Sequence, residues 1–306
     1  MAKIAVELGR ALAWRAANGG SGRTMRHLLA QGDGWTVSDV ICTSGPHDRS
    51  FEEQHPSVCI AIITAGSFQY RSSGGKKLMT PGSLMLGNAG ECYECGHEHG
   101  MGDRCLSFRY SIDYFERLAA DACTHRRKPN FGTSRLPPLR ELSGLIAQAC
   151  TGLTGATDLS WEEICIQLAA KAIQFSEGTS SGASSPPPAA VARVSRAVRM
   201  IEQHPDDGLS LGSLASEAGL SPYHFLRTFE HLTGVTPHQY ILRARLREAA
   251  MRLVEEPARV LDIALDCGFG DVSNFNHAFR EEFGVSPRAY RLQARDRARH
   301  VQGQRA

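Results

Sequence analysis

Two stretches in the C-terminal third of this chain repeat each other, and the repeat limits the possible fold more than any other feature. Leu214, Ala215 and Gly219 recur as Ile263, Ala264 and Gly268, an offset of 49 residues. Phe225, Phe229, Gly234, Pro237 and Tyr240 recur as Phe275, Phe279, Gly284, Pro287 and Tyr290, an offset of 50. One extra residue therefore enters the second copy between Gly268 and Phe275. Two copies are too few for a stacked array, so the pattern predicts a duplicated supersecondary unit. In each copy a short helix ends at a glycine, where a left-handed cap favours a residue without Cβ. A second helix then begins. Ser221 is its N-cap in the first copy, with Pro222 in the first turn; Asp271 or Ser273 can cap in the second. Phenylalanines four apart share one buried face. Helix, glycine turn, helix is the helix-turn-helix, whose second helix can enter a DNA major groove.

The open face of each second helix carries groups that read or grip DNA. The first has Ser221, Tyr223, His224, Arg227, Thr228 and His231; the second has Val272, Ser273, Asn274, His277 and Arg280. Arg hydrogen-bonds guanine, Asn hydrogen-bonds adenine, and Val offers a surface to the thymine methyl. Residues 240–253 keep a helical period and form a spacer between the units. Arg243, Arg245 and Arg247 on that spacer are candidate phosphate contacts.

These residues resemble the DNA-binding domain of the AraC/XylS family of bacterial transcription regulators. The likeness covers residues 190–292 and is strongest over ALDCGFGDVSNFNHAFREEFGVSPRAYR. It implies seven helices holding two helix-turn-helix motifs. It also implies base reading from Tyr223, Leu226 and Arg227 in the first motif, and from Val272, Ser273, Asn274 and His277 in the second. His277 stands where other members often carry Arg or another polar residue. The family often places a cupin-like sensor domain before this module, followed by dimerising helices.

Charge follows the same division. The chain has 34 basic and 32 acidic side chains. From residue 189 onward there are 16 arginines, no lysines and 14 acidic residues, so the small excess lies wholly in the repeat-bearing part. Residues 179–190 are only Thr, Ser, Gly, Ala and Pro, which bury little and read as a linker.

The N-terminal half reads as β over 35–110. Apolar or β-branched runs at 35–42, 57–64, 67–71, 77–79, 83–87 and 105–110 alternate with Gly- and Pro-containing turns, the pattern of a barrel or jelly roll. Two amphipathic helices, 139–153 and 161–175, follow, and their apolar faces predict a homodimer contact. The sequence Cys92-Tyr-Glu-Cys95-Gly-His97-Glu-His99, with Cys105, is a candidate site for zinc or another thiophilic metal, because a two-residue cysteine gap can chelate one tetrahedral ion. A redox pair and a plain loop are the alternatives. His47, Glu52, Glu53 and His55 form a second polar group for a small ligand or metal, or a solvated loop. Cys42, Cys59, Cys123, Cys150, Cys165 and Cys267 read as core thiols.

The expected fold class is therefore α+β in two domains: a cupin-like β-barrel with flanking helices, then an all-α double helix-turn-helix domain. The expected boundaries are a sensor domain at 1–178 (β-rich 35–110, helical 111–178), a linker at 179–190, a DNA-binding domain at 191–293 and a flexible basic tail at 294–306. The expected function is sequence-specific transcription regulation with an effector, metal or redox sensor. The alternative is a cupin-type metal-binding enzyme fused to a DNA-binding domain. Met85 stands three residues beyond Gly82, where an enzymatic cupin would carry His, which weighs against catalysis. No serine triad, phosphate loop or dinucleotide fingerprint is present. The expected partners are double-stranded DNA, an unknown effector, RNA polymerase if the protein activates, and a second copy. The longest apolar run, 58–63, is far short of the ~20 residues that a membrane helix needs. The start lacks a secretory pattern, so a cytoplasmic protein is expected.

Overall fold

The run VCIAIITAG at Val58–Gly66 is apolar without alternation, the pattern of a strand covered on both faces. The computed structural model shows why. It describes residues 3–50, 52–122, 130–153, 160–176 and 187–304, except the side chains of 3, 4 and 297–304. Residues 179–186 of the expected linker, and Cys123, lie outside this description. Among the described residues the N-terminal half holds α1 (Lys3–Asn18), β1 (Thr24–Gly32), β2 (Trp35–Cys42), β3 (Glu52–Gln54), β4 (Val58–Gly66), β5 (Phe68–Ser72), β6 (Gly75–Met79), β7 (Leu84–Gly87), β8 (Cys92–Gly96), β9 (Asp103–Tyr110), α2 (Ile112–Asp121), β10 (Arg135–Leu136), α3 (Arg140–Leu153) and α4 (Trp161–Ser176).

The strands form two sheets, β1-β2-β9-β4-β7-β10 and β3-β8-β5-β6. They face each other as a sandwich, the jelly-roll form of the expected β domain, and among the described residues the strand pairing does not join them into one closed sheet. In β4, Val58, Ile60 and Ile62 face a core shared with α2, α3 and α4. Their alternating neighbours Cys59, Ala61 and Ile63 face the other sheet and meet Phe68, Tyr70 and Met79. One strand thus divides two cores, helical outside and inter-sheet inside.

The C-terminal half holds α5 (Pro188–Gln203), α6 (Leu211–Glu217), α7 (Pro222–Thr233), α8 (Pro237–Glu255), α9 (Val260–Asp266), α10 (Val272–Phe283) and α11 (Pro287–Gln304). These are the seven helices that the resemblance implies. Proline opens α5 at Pro188, so the last residues of the expected linker are helical. Residues 294–304 continue α11 and do not form a separate tail. Tyr240, Ile241 and Ala244 of α8 join the core around Phe225 and Phe229. Leu246, Ala249, Ala250 and Leu253, further along α8, join the core around Phe275 and Phe279. One 19-residue helix, about 28 Å long at 1.5 Å per residue, therefore threads both units.

The halves share side chains. Leu78 lies in the core of the first unit, Ala147 in that of the second, and Met251 of α8 in that of the sandwich. Arg135 donates to Leu78 O at 3.0 Å and to Leu232 O of α7. Burial pushes the Arg135 guanidinium down to about 10. Tyr240 donates to Pro81 O across the same junction, 3.3 Å.

Candidate nucleic-acid interface and sensor-domain cluster

The first helix of each unit ends in the same way. Gly219 N–H bonds Ser216 O, and Leu220 N–H bonds Ala215 O; Gly268 and Phe269 repeat the pair with Leu265 O and Ala264 O. This double bond pattern ends a helix on a left-handed residue, and Gly219 (φ 63°) and Gly268 (φ 82°) supply it. The extra residue of the second copy lies in the turn, where Phe269 folds back onto Phe275 at 5.0 Å between ring centroids.

The second helices, α7 and α10, bury their phenylalanines and expose the opposite face. Ser221 caps α7 by accepting from His224 N–H at 3.4 Å. Asp271, not Ser273, caps α10, accepting from Asn274 N–H at 2.7 Å. Tyr223 (63% exposed), His224 and Arg227 are exposed on α7, and Arg227 donates to Tyr223 Oη at 3.3 Å. Thr228 is half-buried, and its hydroxyl donates to His224 O at 2.7 Å, so it is turned onto its own helix. On α10, Ser273, Asn274, His277 and Arg280 are exposed, and Val272 is half-buried. Asn276 is also exposed and was missed by sequence reading. Its position one residue after buried Phe275 was the available signal.

The spacer arginines are not free to meet phosphates. Arg243 donates to Pro138 O at 2.6 Å and pairs with Glu282 at 3.3 Å. Arg245 holds Pro205 O and Gly268 O. Arg247 pairs with Glu202 at 2.8 Å. All three are internal clamps because α8 lies between the two units and the sandwich, and offers little open surface.

The cysteine-rich segment also differs from its expected form. Residues 92–96 are a strand, and in a strand residues three apart point to opposite faces. Cys92 is exposed, while Tyr93 and Cys95 pack against the inter-sheet core, so the pair cannot chelate one ion. His97 and His99 follow the strand, in a loop, and Cys105 is buried on β9. Of the five expected ligands only His97 enters a cluster, and its companions are Cys42 and Asp103, all ligand atoms lying within 4.8 Å of one another. His97 Nε2 lies 2.6 Å from Asp103 Oδ1. Burial works to lower the imidazole, but hydrogen bonds to Asp103 and Cys42 overcome it and hold His97 up to about 10. For Cys42, burial pushes the thiol up, but the His97 hydrogen bond and charge, together with a hydrogen bond to Ser44, outweigh it and leave the thiol below its usual value. Cys42 is therefore not a plain core thiol; Cys59, Cys150, Cys165 and Cys267 are buried as expected.

Of the second polar group, His47, Glu52 and Glu53 are exposed, and Tyr93 donates to Glu53 at 2.8 Å. His55 alone turns inward, 1% exposed, 2.7 Å from Tyr70 Oη and stacked on Tyr93. Burial, aided by the Arg109 charge, lowers His55 to about 4.

The expected dimer faces are covered. Leu142, Leu145, Ile146 and Ala149 of α3, and Ile164, Leu168, Ala172 and Ile173 of α4, are buried within this one chain. Helix α3 packs on α8 and α10.

Fold and exposed helices define a two-domain, double helix-turn-helix protein with a β-sandwich in front. Residues 214–293 match the family model for a helix-turn-helix domain, and 38–171 match that for an AraC-like ligand binding domain. The probable transcriptional regulator LumQ of Photobacterium leiognathi is 39% identical over 92 residues, 30% of this chain and 37% of that protein. The probable transcription factor PqrA of Proteus vulgaris is 34% identical over 86 residues, 28% of this chain and 70% of that protein. An HTH-type transcriptional regulator of Bacillus subtilis, YbfI, is 25% identical over 228 residues, 72% of this chain and 79% of that protein. The chain belongs to the AraC family of transcription regulators. It spans only about a third of the length of several curated relatives it matches, 37% of LumQ among them.

Proposed function

We propose that this protein is a sequence-specific DNA-binding transcription regulator that lays α7 and α10 into successive major-groove segments. The observation that carries this reading is the pair of glycine turns with matching hydrogen bonds, each followed by an exposed second helix with base-reading side chains. Arg227 and Tyr223 face one segment; Ser273, Asn274 and His277, with Asn276 and Arg280, face the other. Ser221 and Val272 sit at the helix starts, and His224 and Thr228 flank the first contact. The domain is only mildly basic, so affinity depends on placed contacts more than on bulk charge. Footprinting on DNA upstream of the gene and its neighbours, with Arg227→Ala and Asn274→Ala, tests it. Each substitution should weaken the specific site by about 1–3 kcal/mol and relax one segment. Unchanged footprints in both variants would remove the assignment.

The sandwich is the effector domain in this reading. Between its sheets His55 Nδ1 and Arg109 Nε are buried without hydrogen-bond partners, beside Tyr70 and Tyr93. A small molecule with acceptor oxygens facing Arg109 fits that set. The matched family models and the relatives favour this over a cupin-type enzyme. Among the described residues no helix is long and apolar enough to cross a membrane. The reading places the protein in the cytoplasm with the DNA, touching RNA polymerase if it activates. Any homodimer must use surfaces other than the buried faces of α3 and α4.

A further inference from the structure

We propose that Cys42, His97 and Asp103 bind one thiophilic divalent metal ion of the zinc class at the rim of the β-sandwich. Two ligands come from paired strands and the third from the loop after β8. Cys42 is the last residue of β2 and stands directly opposite Asp103, the first of β9. His97 follows β8 of the other sheet, so the ion would tie the two sheets together.

The ligand set suits the ion. Thiolate, imidazole and carboxylate together favour zinc or cobalt over magnesium or calcium, which take oxygen alone. One thiolate and one carboxylate neutralise a dication. Tetrahedral zinc, with bonds of about 2.0–2.3 Å, separates its ligand atoms by about 3.3–3.6 Å. The three ligand atoms already lie within 4.8 Å of one another. Small side-chain rotations bring them to that spacing, and the 2.6 Å contact between His97 and Asp103 opens as the ion replaces their shared proton. Three protein ligands leave a fourth position, as in zinc sites that exchange or bind a further group. Half-buried Cys42 marks the way in.

The loop from His97 to Asp103 links this site to the helix-turn-helix domain. Gly100 N–H bonds His97 O at 3.2 Å, and Gly102 N–H bonds Ser44 O at 2.8 Å. Gly102 has φ 64°, and a Cβ there would meet Cys42 O at 2.6 Å, so only glycine lets the loop close on the site. Within this loop, Arg199 of α5 donates to His99 O. Both ends of the loop are ligands, so binding shifts the carbonyl that α5 holds. This coupling rests on the DNA-binding reading; the metal site does not.

The test uses the full chain, stripped with a chelator and titrated with Co²⁺. The expected result is one ion per chain, with a thiolate-to-cobalt absorption band and intense four-coordinate d–d bands. Cys42→Ser should abolish the thiolate band. Cys42→Ser, His97→Gln and Asp103→Asn should each weaken binding by about 100-fold or more, beyond the usual cost of an outer-shell change. Cys92→Ser, Cys95→Ser and a triple change of the exposed trio His204, Asp206 and Asp207 to amides should leave binding intact. Circular dichroism of the metal-free variants checks folding, and if a buried His97 or Asp103 variant unfolds, the thiolate band of Cys42→Ser decides. Absence of stoichiometric binding, a thiolate band that survives Cys42→Ser, or loss of binding in Cys92→Ser or Cys95→Ser overturns the site. A separate measurement compares DNA affinity with and without Zn²⁺. A change in the parent that is absent in Cys42→Ser supports the coupling, and no change overturns the coupling while leaving the site to the cobalt result.

Discussion

The two helix-turn-helix units share one plan and differ in how each is held. Unit one packs Phe225 and Phe229 against Tyr240, and its α7 leans on β6 and Arg135 of the sandwich domain. Unit two adds Phe269 from its longer turn, and gathers Phe283 and Tyr290 around Phe279. Its α10 leans on α3, through Glu282, which accepts from Ser143 and pairs with Arg243. A repeat therefore conserves the turn and the buried phenylalanines while leaving each copy a different tether. The tether, not the motif, is where the two units differ in their contact with the sandwich domain.

The largest test of that comparison is core deletion. Phe229→Ala and Phe279→Ala each remove a fully buried ring and should cost about 3–5 kcal/mol in urea unfolding. Phe279→Ala should cost more, because three aromatic partners lose a neighbour. Equal costs would mean that the extra rings of unit two add nothing.

A second test asks whether the sandwich is as firm as the units it holds. His55 faces Tyr70, Tyr93, Arg109 and Glu91, and its imidazole falls from 6.5 to about 4 through burial and the Arg109 charge. A depressed histidine is protonated in the unfolded chain before the folded one. Its contribution is complete above 6.5 and is lost as pH falls towards 4. The loss should reach about 2 kcal/mol by pH ~5. Urea midpoints at these pH values, set against His55→Gln, isolate it; an identical slope in the variant would assign the pH dependence elsewhere. Between units, Arg227→Ala and Asn274→Ala should each lose about 1–3 kcal/mol of specific DNA affinity, on different base steps. Protection lost at the same step in both would mean that α7 and α10 do not read separate segments.

What was readable from sequence follows the range of the signal. Both helix-turn-helix units could be read because their signals are local: a glycine, a cap, and phenylalanines four apart. β2 was placed to the residue, since its apolar alternation is self-contained. β8 was not, because Cys-Tyr-Glu-Cys-Gly has no β pattern of its own and is held by pairing with β3 and β5. α1, β1, β3 and β10 were missed for similar reasons; β1, for instance, is mostly exposed. Cys42 and His97 lie 55 residues apart, and only strand register brings them together. The spacer arginines misled because a charged residue on a helix reads as solvated until the packing of its neighbours is known. The apolar faces of α3 and α4 misled in the same way: a sequence shows that a face must be covered, and not by what.

The smallest effect separates the two caps. Asp271 holds Asn274 N–H at 2.7 Å with a carboxylate, whereas Ser221 holds His224 N–H at 3.4 Å with a neutral hydroxyl. A charged acceptor at a helix N-terminus also meets the positive end of the helix dipole. Pro222 has already removed one donor from the start of α7 that would otherwise need a partner. Asp271→Ala should therefore cost about 1 kcal/mol and Ser221→Ala about half that, read as midpoint shifts in urea. In the proposed complex the same carboxylate stands at the end of α10 that would meet the groove, where it would repel phosphate. In a gel shift at low salt Asp271→Ala should bind DNA no more weakly than the parent, despite its lower stability. If both properties fall together, the cap is holding α10 in its reading position, and the two units differ in preorganisation as well as in tether.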